Sequence, residues 1–199
     1  MDLLTREEIV QASKKDFYSR NEPYTTKNIE YFQTELANVK VMKTYPTGDK
    51  LVGFVIYRTF NAYDFVSDII KSENHLVSET EMKNIKSRLN NKLATFSYDG
   101  LKDGTAIEIL LICSEKGTKL FKPWQEHVRS LKMYKNVSFL ILEAADSVGE
   151  GAWAKLGFTK KELNVTNAKK GTEVLVNTVY VATKKGDADL HMKWYIKKF

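Results

Sequence analysis

The sequence predicts a single sheet-based domain of the α/β or α+β class. Three observations carry this. Two apolar runs flank turn chemistry at Pro46-Thr47-Gly48-Asp49, which reads as a hairpin. Two short, strongly apolar runs, Ala106 to Cys113 and Val137 to Leu142, lie on either side of a stretch with helical spacing. Further β-like runs then follow a short helix. At 199 residues the chain is long enough for one sizeable core, and neither an internal repeat nor a linker calls for a second domain.

The elements follow in order. Thr5-Arg6-Glu7-Glu8 fits a capping box, with Leu4 and Ile9 at the positions of a hydrophobic staple. Ile9, Val10, Ala12, Ser13 and Phe17 read as one face of the helix it opens. Thr26 caps a second helix with Ile29, Phe32 and Leu36 on one side. The hairpin strands are Val39 to Tyr45 and Leu51 to Thr59. Residues 61–100 form a polar, helical insertion. Within it Ser78-Glu79-Thr80-Glu81 is a second capping box, between Val77 and Met82, and Met82, Ile85, Leu89 and Leu93 make an apolar stripe. Ala106 to Cys113 (AIEILLIC) is a buried strand broken by one charge, Glu108. Gly117 opens a loop into a helix carrying Leu120, Trp124, Val128 and Leu131, and Pro123 fits only in its first turn. After the strand at 137–142, Ser147 to Glu150 caps a short helix with Val148, Ala152 and Leu156 turned inward. Gly157 stops it in the left-handed conformation, and Phe158 begins a strand. Glu173 to Thr183 and Asp189 to Lys197 are the last β-like runs.

Composition narrows the function. One cysteine, Cys113, forbids an intrachain disulfide, and with three scattered histidines no zinc-module spacing can be written. No apolar run approaches the roughly 18 residues that span a bilayer, and MDLLTREEIV is no signal peptide, so the expectation is a cytoplasmic protein with no membrane partner. Net charge is +6. From Lys160 onward, nine lysines against four acidic residues leave +5 in the last fifth of the chain, most of which is a lysine-rich β part, 164–199. Such a surface attracts anions, nucleic acid among them, or simply keeps the protein soluble. No G-x-S-x-G and no P-loop is present. Gly149 to Ala154 matches G-x-G-x-x-A, but the helix ending at Gly157 is too short for a dinucleotide unit.

Two pieces carry chemistry. A buried strand running into Lys116-Gly117-Thr118-Lys119 and then a helix makes an anion site of backbone N–H groups, helix dipole and lysine charge. The second piece is Ala152-Trp153-Ala154-Lys155-Leu156-Gly157-Phe158, a short helix ending in KLGF after the strand ILEAADS. In order and spacing the two resemble the GNAT superfamily of N-acetyltransferases from about Ala106 to Lys160, and the hairpin and first helices fit its opening more loosely. The resemblance implies a mixed, mostly antiparallel sheet and acetyl-CoA as co-substrate. It further implies transfer to a primary amine, on a small molecule or a protein, by direct attack in a ternary complex. The backbone of Ile112, Cys113 and Ser114 would then pair with the pantetheine arm. Amides from Gly117 through Thr118 and Lys119 to Leu120, with Lys116 in the family's arginine slot, would hold the pyrophosphate, and Ser147 would touch the arm.

Two positions depart from the family pattern. Lys119 and Phe121 stand where small residues are usual, and Trp153 occupies the place of a tyrosine that reprotonates the thiolate. Indole has no transferable proton of useful pKa, so Trp153 reads as packing beside the cofactor. Glu108 resembles the strand glutamate that some GNAT enzymes use as general base, and desolvation among Ile and Leu would raise its pKa toward neutrality. A lone Cys113 at a strand end reads as a small hydrophobe. The alternative of another class is a catalytically degenerate fold of this kind that contacts nucleic acid or a protein through its basic C-terminal part.

Overall fold

The computed structural model describes residues 3–14, 17–18, 26–36, 38–46, 48–60, 80, 87, 94–96, 106–145, 149–161, 165–167 and 192–199. The chain divides into two compact units, Met1–Thr59 with Ile107–Val137, and Phe60–Ala106 with Ser138–Phe199. Every strand pairing with an assigned register is antiparallel.

The first unit opens with α1 (Arg6–Ala12). Its capping box forms as expected: the Glu8 N–H donates to Thr5 Oγ1 at 3.2 Å and the Thr5 N–H donates to Glu8 Oε2 at 2.8 Å. Leu4 and Ile9, the staple pair, are both buried. The helix is shorter than its apolar spacing suggests. Ser13 is the C-cap, its hydroxyl donating to the Ile9 carbonyl at 2.8 Å, and Val10 faces solvent. Phe17 therefore does not continue the helical face. It lies with Tyr18 in a two-residue strand, β1 (Phe17–Tyr18), and its ring is buried. Next is α2 (Thr26–Thr34), which buries Ile29 and turns the Gln33 amide onto both main-chain groups of Leu4, at 3.1 and 3.2 Å. Those two bonds satisfy a buried polar side chain and tie α2 to the start of α1.

The hairpin is β2 (Lys40–Thr44) and β3 (Gly53–Phe60), with Met42 opposite Val55. β3 neighbours β5 (Ala106–Glu115), the strand read as AIEILLIC, and β1 pairs with the C-terminal end of β5. Leu4, Ile9, Ala12, Phe17, Ile29, Val41, Leu51, Phe54, Ile56, Leu111 and Cys113 form one buried cluster. A further helix, α3 (Phe121–Ser130), buries Trp124 and Val128, as its spacing predicts. Trp124 meets the Tyr57 ring edge-on, centroids 5.5 Å apart. One glycine here is required by crowding. A Cβ on Gly53 would lie 2.6 Å from Leu120 Cδ1, 3.0 Å from Ser114 Cβ and 3.2 Å from the Cys113 carbonyl, so β3 and the end of β5 approach closely only at a residue with no side chain.

The second unit holds β6 (Phe139–Ala145), β7 (Thr159–Lys161) and β9 (Met192–Lys198), with β9 between the other two. β4 (Ala94–Phe96) pairs separately with β8 (Val165–Asn167). Leu140, Ile141 and Leu142 are all buried, as expected of the run VSFLIL. The short helix after β6 departs from its expected form. Gly149–Trp153 is a π-helical turn passing into one α-helical turn, and Ala152 and Leu156 face outward. The capping box at 78–81, the stripe from Met82 to Leu93, Ser147, Val148 and the run at 173–183 lie outside the described residues, apart from the exposed Thr80.

Candidate functional site

The site in the first unit begins with the side chains that β3 and β5 share. Phe54 and Ile56 meet Leu111 and Cys113 in one cluster. Strict alternation places Arg58 next on that face of β3, and Ile109 next on that face of β5. Arg58 instead bonds Glu108, its Nε donating to Oε2 at 2.7 Å, and Leu110 packs on the same cluster. The Glu108 carboxylate thus meets Arg58 across the two strands. Both side chains are desolvated, 3% exposed for Arg58 and 8% for Glu108. Desolvation favours the neutral acid, but a guanidinium in contact favours the carboxylate. The sequence foresees the first effect and misses the second, because no motif marks Arg58. A signal is nonetheless present: a lone basic residue inside LVGFVIYRT and a lone acid inside AIEILLIC, two buried charges that each need a partner.

The C-terminal end of β5 sorts its backbone by direction. The Glu115 N–H donates to the Val52 carbonyl at 2.9 Å, so residue 115, and by alternation Cys113, face β3. Ser114 and Ile112 face the other edge. There Tyr18 of β1 stands in register opposite Ser114. Of the three positions expected to offer backbone to a pantetheine arm, Cys113 is turned to β3 and Ser114 is opposed by Tyr18. The Cys113 thiol is buried, and desolvation pushes its pKa up to about 12, which removes the thiolate a nucleophile needs.

Beyond β5 the chain turns at Gly117, whose φ of +88° lies in the left-handed region. A Cβ there would meet nothing within 4 Å, so the backbone angle rather than crowding requires glycine. Ser114 Oγ donates to the Thr118 carbonyl at 3.2 Å, and the Thr118 N–H donates to the Glu115 carbonyl at 3.1 Å, which fixes the turn and commits the Thr118 amide. α3 starts at Phe121 with Leu120 as N-cap, with no side-chain cap and no acidic residue in its first turn. First-turn N–H groups lack intrahelical acceptors and carry the positive end of the helix dipole. Pro123, third in the helix, brings no N–H that would need one. Lys116 and Lys119 are exposed, and Glu115, just before the turn, is paired with Lys50 at 2.7 Å. Phe121 is buried against Trp124 at 5.8 Å, so its bulk points into the protein and not over the turn.

In the second unit the KLGF run is a helix stop of the Schellman type. The Phe158 N–H donates to the Trp153 carbonyl at 3.1 Å and the Gly157 N–H to the Ala154 carbonyl at 3.0 Å, with Gly157 at φ +88°. The apolar contact that accompanies this motif is made by Trp153 on Phe158, centroids 5.4 Å apart and nearly perpendicular. Lys197 Nζ donates to the Leu156 carbonyl at 2.5 Å. The half-buried Trp153 ring is therefore explained by packing. Among the described residues no group of three metal-ligating side chains forms, and no helix is long and apolar enough to cross a membrane.

No protein-family model matches the chain. A phosphoglucosamine mutase from Prochlorococcus marinus (strain AS9601) is 29% identical over 118 residues, covering 56% of this chain and 24% of that protein, so the chain spans about a quarter of that relative's length. Among solved structures, an acetyltransferase from Thermus thermophilus is similar at TM-score 0.42 and 8% identity, covering 89% of this chain and 77% of the other. The mosquito arylalkylamine N-acetyltransferase like 5b is similar at TM-score 0.49 and 12% identity, covering 99% and 98%.

Proposed function

We propose that the protein is an acetyl-CoA-dependent N-acyltransferase that acetylates a primary amine by direct attack in a ternary complex. The observation that carries the reading is the end of β5: a buried strand entering an open glycine turn, then an uncapped helix start with lysines and no acid in its first turn. That arrangement suits a pyrophosphate. The KLGF helix stop supports it through its resemblance to the GNAT superfamily.

In this reading the pyrophosphate rests on amides between Gly117 and the first turn of α3, with Lys116 and Lys119 adding charge. The Thr118 amide is excluded by its bond to Glu115. The arm runs beside Ile112 at the end of β5, as the family resemblance implies. Glu108 accepts one proton from the acceptor ammonium, directly or through a water. The freed amine attacks the thioester carbonyl, forming the N–C bond. The C–S bond then breaks, and the departing thiolate takes the second proton that nitrogen loses.

Isothermal titration and thermal shift with acetyl-CoA test the first step. Saturable heat and a raised melting temperature are expected, and neither effect at millimolar ligand rejects the reading. A binding module acting through its basic C-terminal part would instead show salt-dependent association with nucleic acid and release no CoA from acetyl-CoA.

A further inference from the structure

Glu108 is not an isolated carboxyl in an apolar strand; its desolvated carboxylate is paired with the Arg58 guanidinium. We infer that Arg58 is a positioning residue that holds Glu108 ionised and aimed at neutral pH. The inference rests on the proposed reading for its catalytic meaning, but its physical content stands on the geometry alone. Arg58 on β3 and Glu108 on the neighbouring β5 are in direct contact, Nε and Oε2 being 2.7 Å apart.

Two other charged groups on this face pair with each other. Among the described residues, β2 contributes Lys43, which by its register opposite Phe54 lies on the same side, and α1 contributes Glu8. Those two pair with each other at 2.8 Å. α2 contributes Gln33, which is committed to Leu4. Arg58 is the cation seen in contact with Glu108 among the described residues.

The consequence differs from what desolvation alone dictates. A lone buried carboxyl is neutral at pH 7 and has to lose its proton before it can serve as a base. A carboxylate paired with arginine is already ionised and presents a fixed oxygen. Its proton affinity is lower, so it works by placement more than by basicity. A cation that merely offset a buried charge would affect folding alone. A positioning residue also sets the pH at which the base works.

The test is a carbon-13 NMR titration of the Glu side-chain carboxyls in the full-length protein, with the Glu108 resonance assigned by its loss in E108Q. In the wild type, Glu108 is expected to titrate below the ordinary glutamate value of about 4.3. In R58M its midpoint is expected to rise by roughly one pH unit or more. Glu8 serves as the internal control: burial opposes it, but Lys43, Tyr45 and the Thr5 N–H hold its pKa below the usual 4.5, and it should not move. Equal Glu108 midpoints in wild type and R58M overturn the inference. If R58M does not fold, the wild type decides, since a midpoint at or above about 4.3 overturns it equally. In turnover assays with acetyl-CoA and a primary amine, the acid limb of kcat/KM should move up with the Glu108 midpoint in R58M and less so in R58K, which keeps a cation. A wild type without turnover would defeat the proposed activity and leave the NMR result on Arg58 intact.

Discussion

Gly117 and Gly157 share one backbone angle, φ +88°, and both follow a lysine-bearing run that the sequence singles out. Their surroundings are opposite. The space beyond Gly117 is empty to 4 Å, and the helix after it starts without a cap. The space beyond Gly157 is closed by the Lys197 side chain at 3.5 Å, and the helix before it is stopped by two backbone bonds and an aromatic contact. The same conformational demand thus opens a backbone surface in one unit and seals a helix end in the other. A glycine motif marks where the chain turns; what the turn is for depends on what lies beyond it.

The comparison breaks if the two turns respond alike to substitution. The largest effect belongs to the chemistry that the open turn would serve: Glu108→Gln should lower turnover by about 10²–10⁴-fold at neutral pH, read in a CoA-release assay. Unchanged turnover would detach the open turn from any catalysis at β5. Next come the glycines. Gly117→Val and Gly157→Val each force a β-branched residue to positive φ and should each cost about 1–3 kcal/mol in denaturant unfolding. Only Gly117→Val should weaken acetyl-CoA binding, by at least about tenfold in titration calorimetry, a loss of roughly 1.4 kcal/mol. Equal loss of affinity in both variants would erase the distinction. A smaller effect sharpens the closed side: Lys197→Met removes a donor from the Leu156 carbonyl and should cost about 0.5–1.5 kcal/mol with affinity unchanged. The smallest is Trp153→Phe, which keeps a ring against Phe158 and should cost less than about 1.5 kcal/mol. A drop in turnover without a drop in stability would return Trp153 to the chemistry.

The parts legible in the sequence were those with local causes. The capping box at Thr5 and Glu8, the hairpin about Gly48, the apolar run of β5, the spacing of Trp124 and Val128 and the stop at Gly157 each depend on residues within a few positions of one another. The parts missed depended on partners far along the chain. Phe17 has the spacing of a helical residue, yet Ser13 closes the helix and the ring joins a cluster that includes Leu111 and Cys113. Ala152 and Leu156 have the spacing of an inward face, yet the π-helical turn rotates them to solvent. The Ser114 backbone reads as available to a ligand until Tyr18 is found opposite it.

By itself the sequence determined the fold class, the hairpin and the strand–turn–helix at 106–131, the two glycine turns and the presence of one acid in a buried strand. These follow from period, propensity and backbone sterics, which act over a few residues. Only the tertiary structure decided that Arg58 meets Glu108 across 50 positions of sequence, and that one glycine turn is open while the other is closed. Desolvation and charge pairing are set by whichever atoms arrive at a site, and the chain's local pattern does not encode which distant strand supplies them.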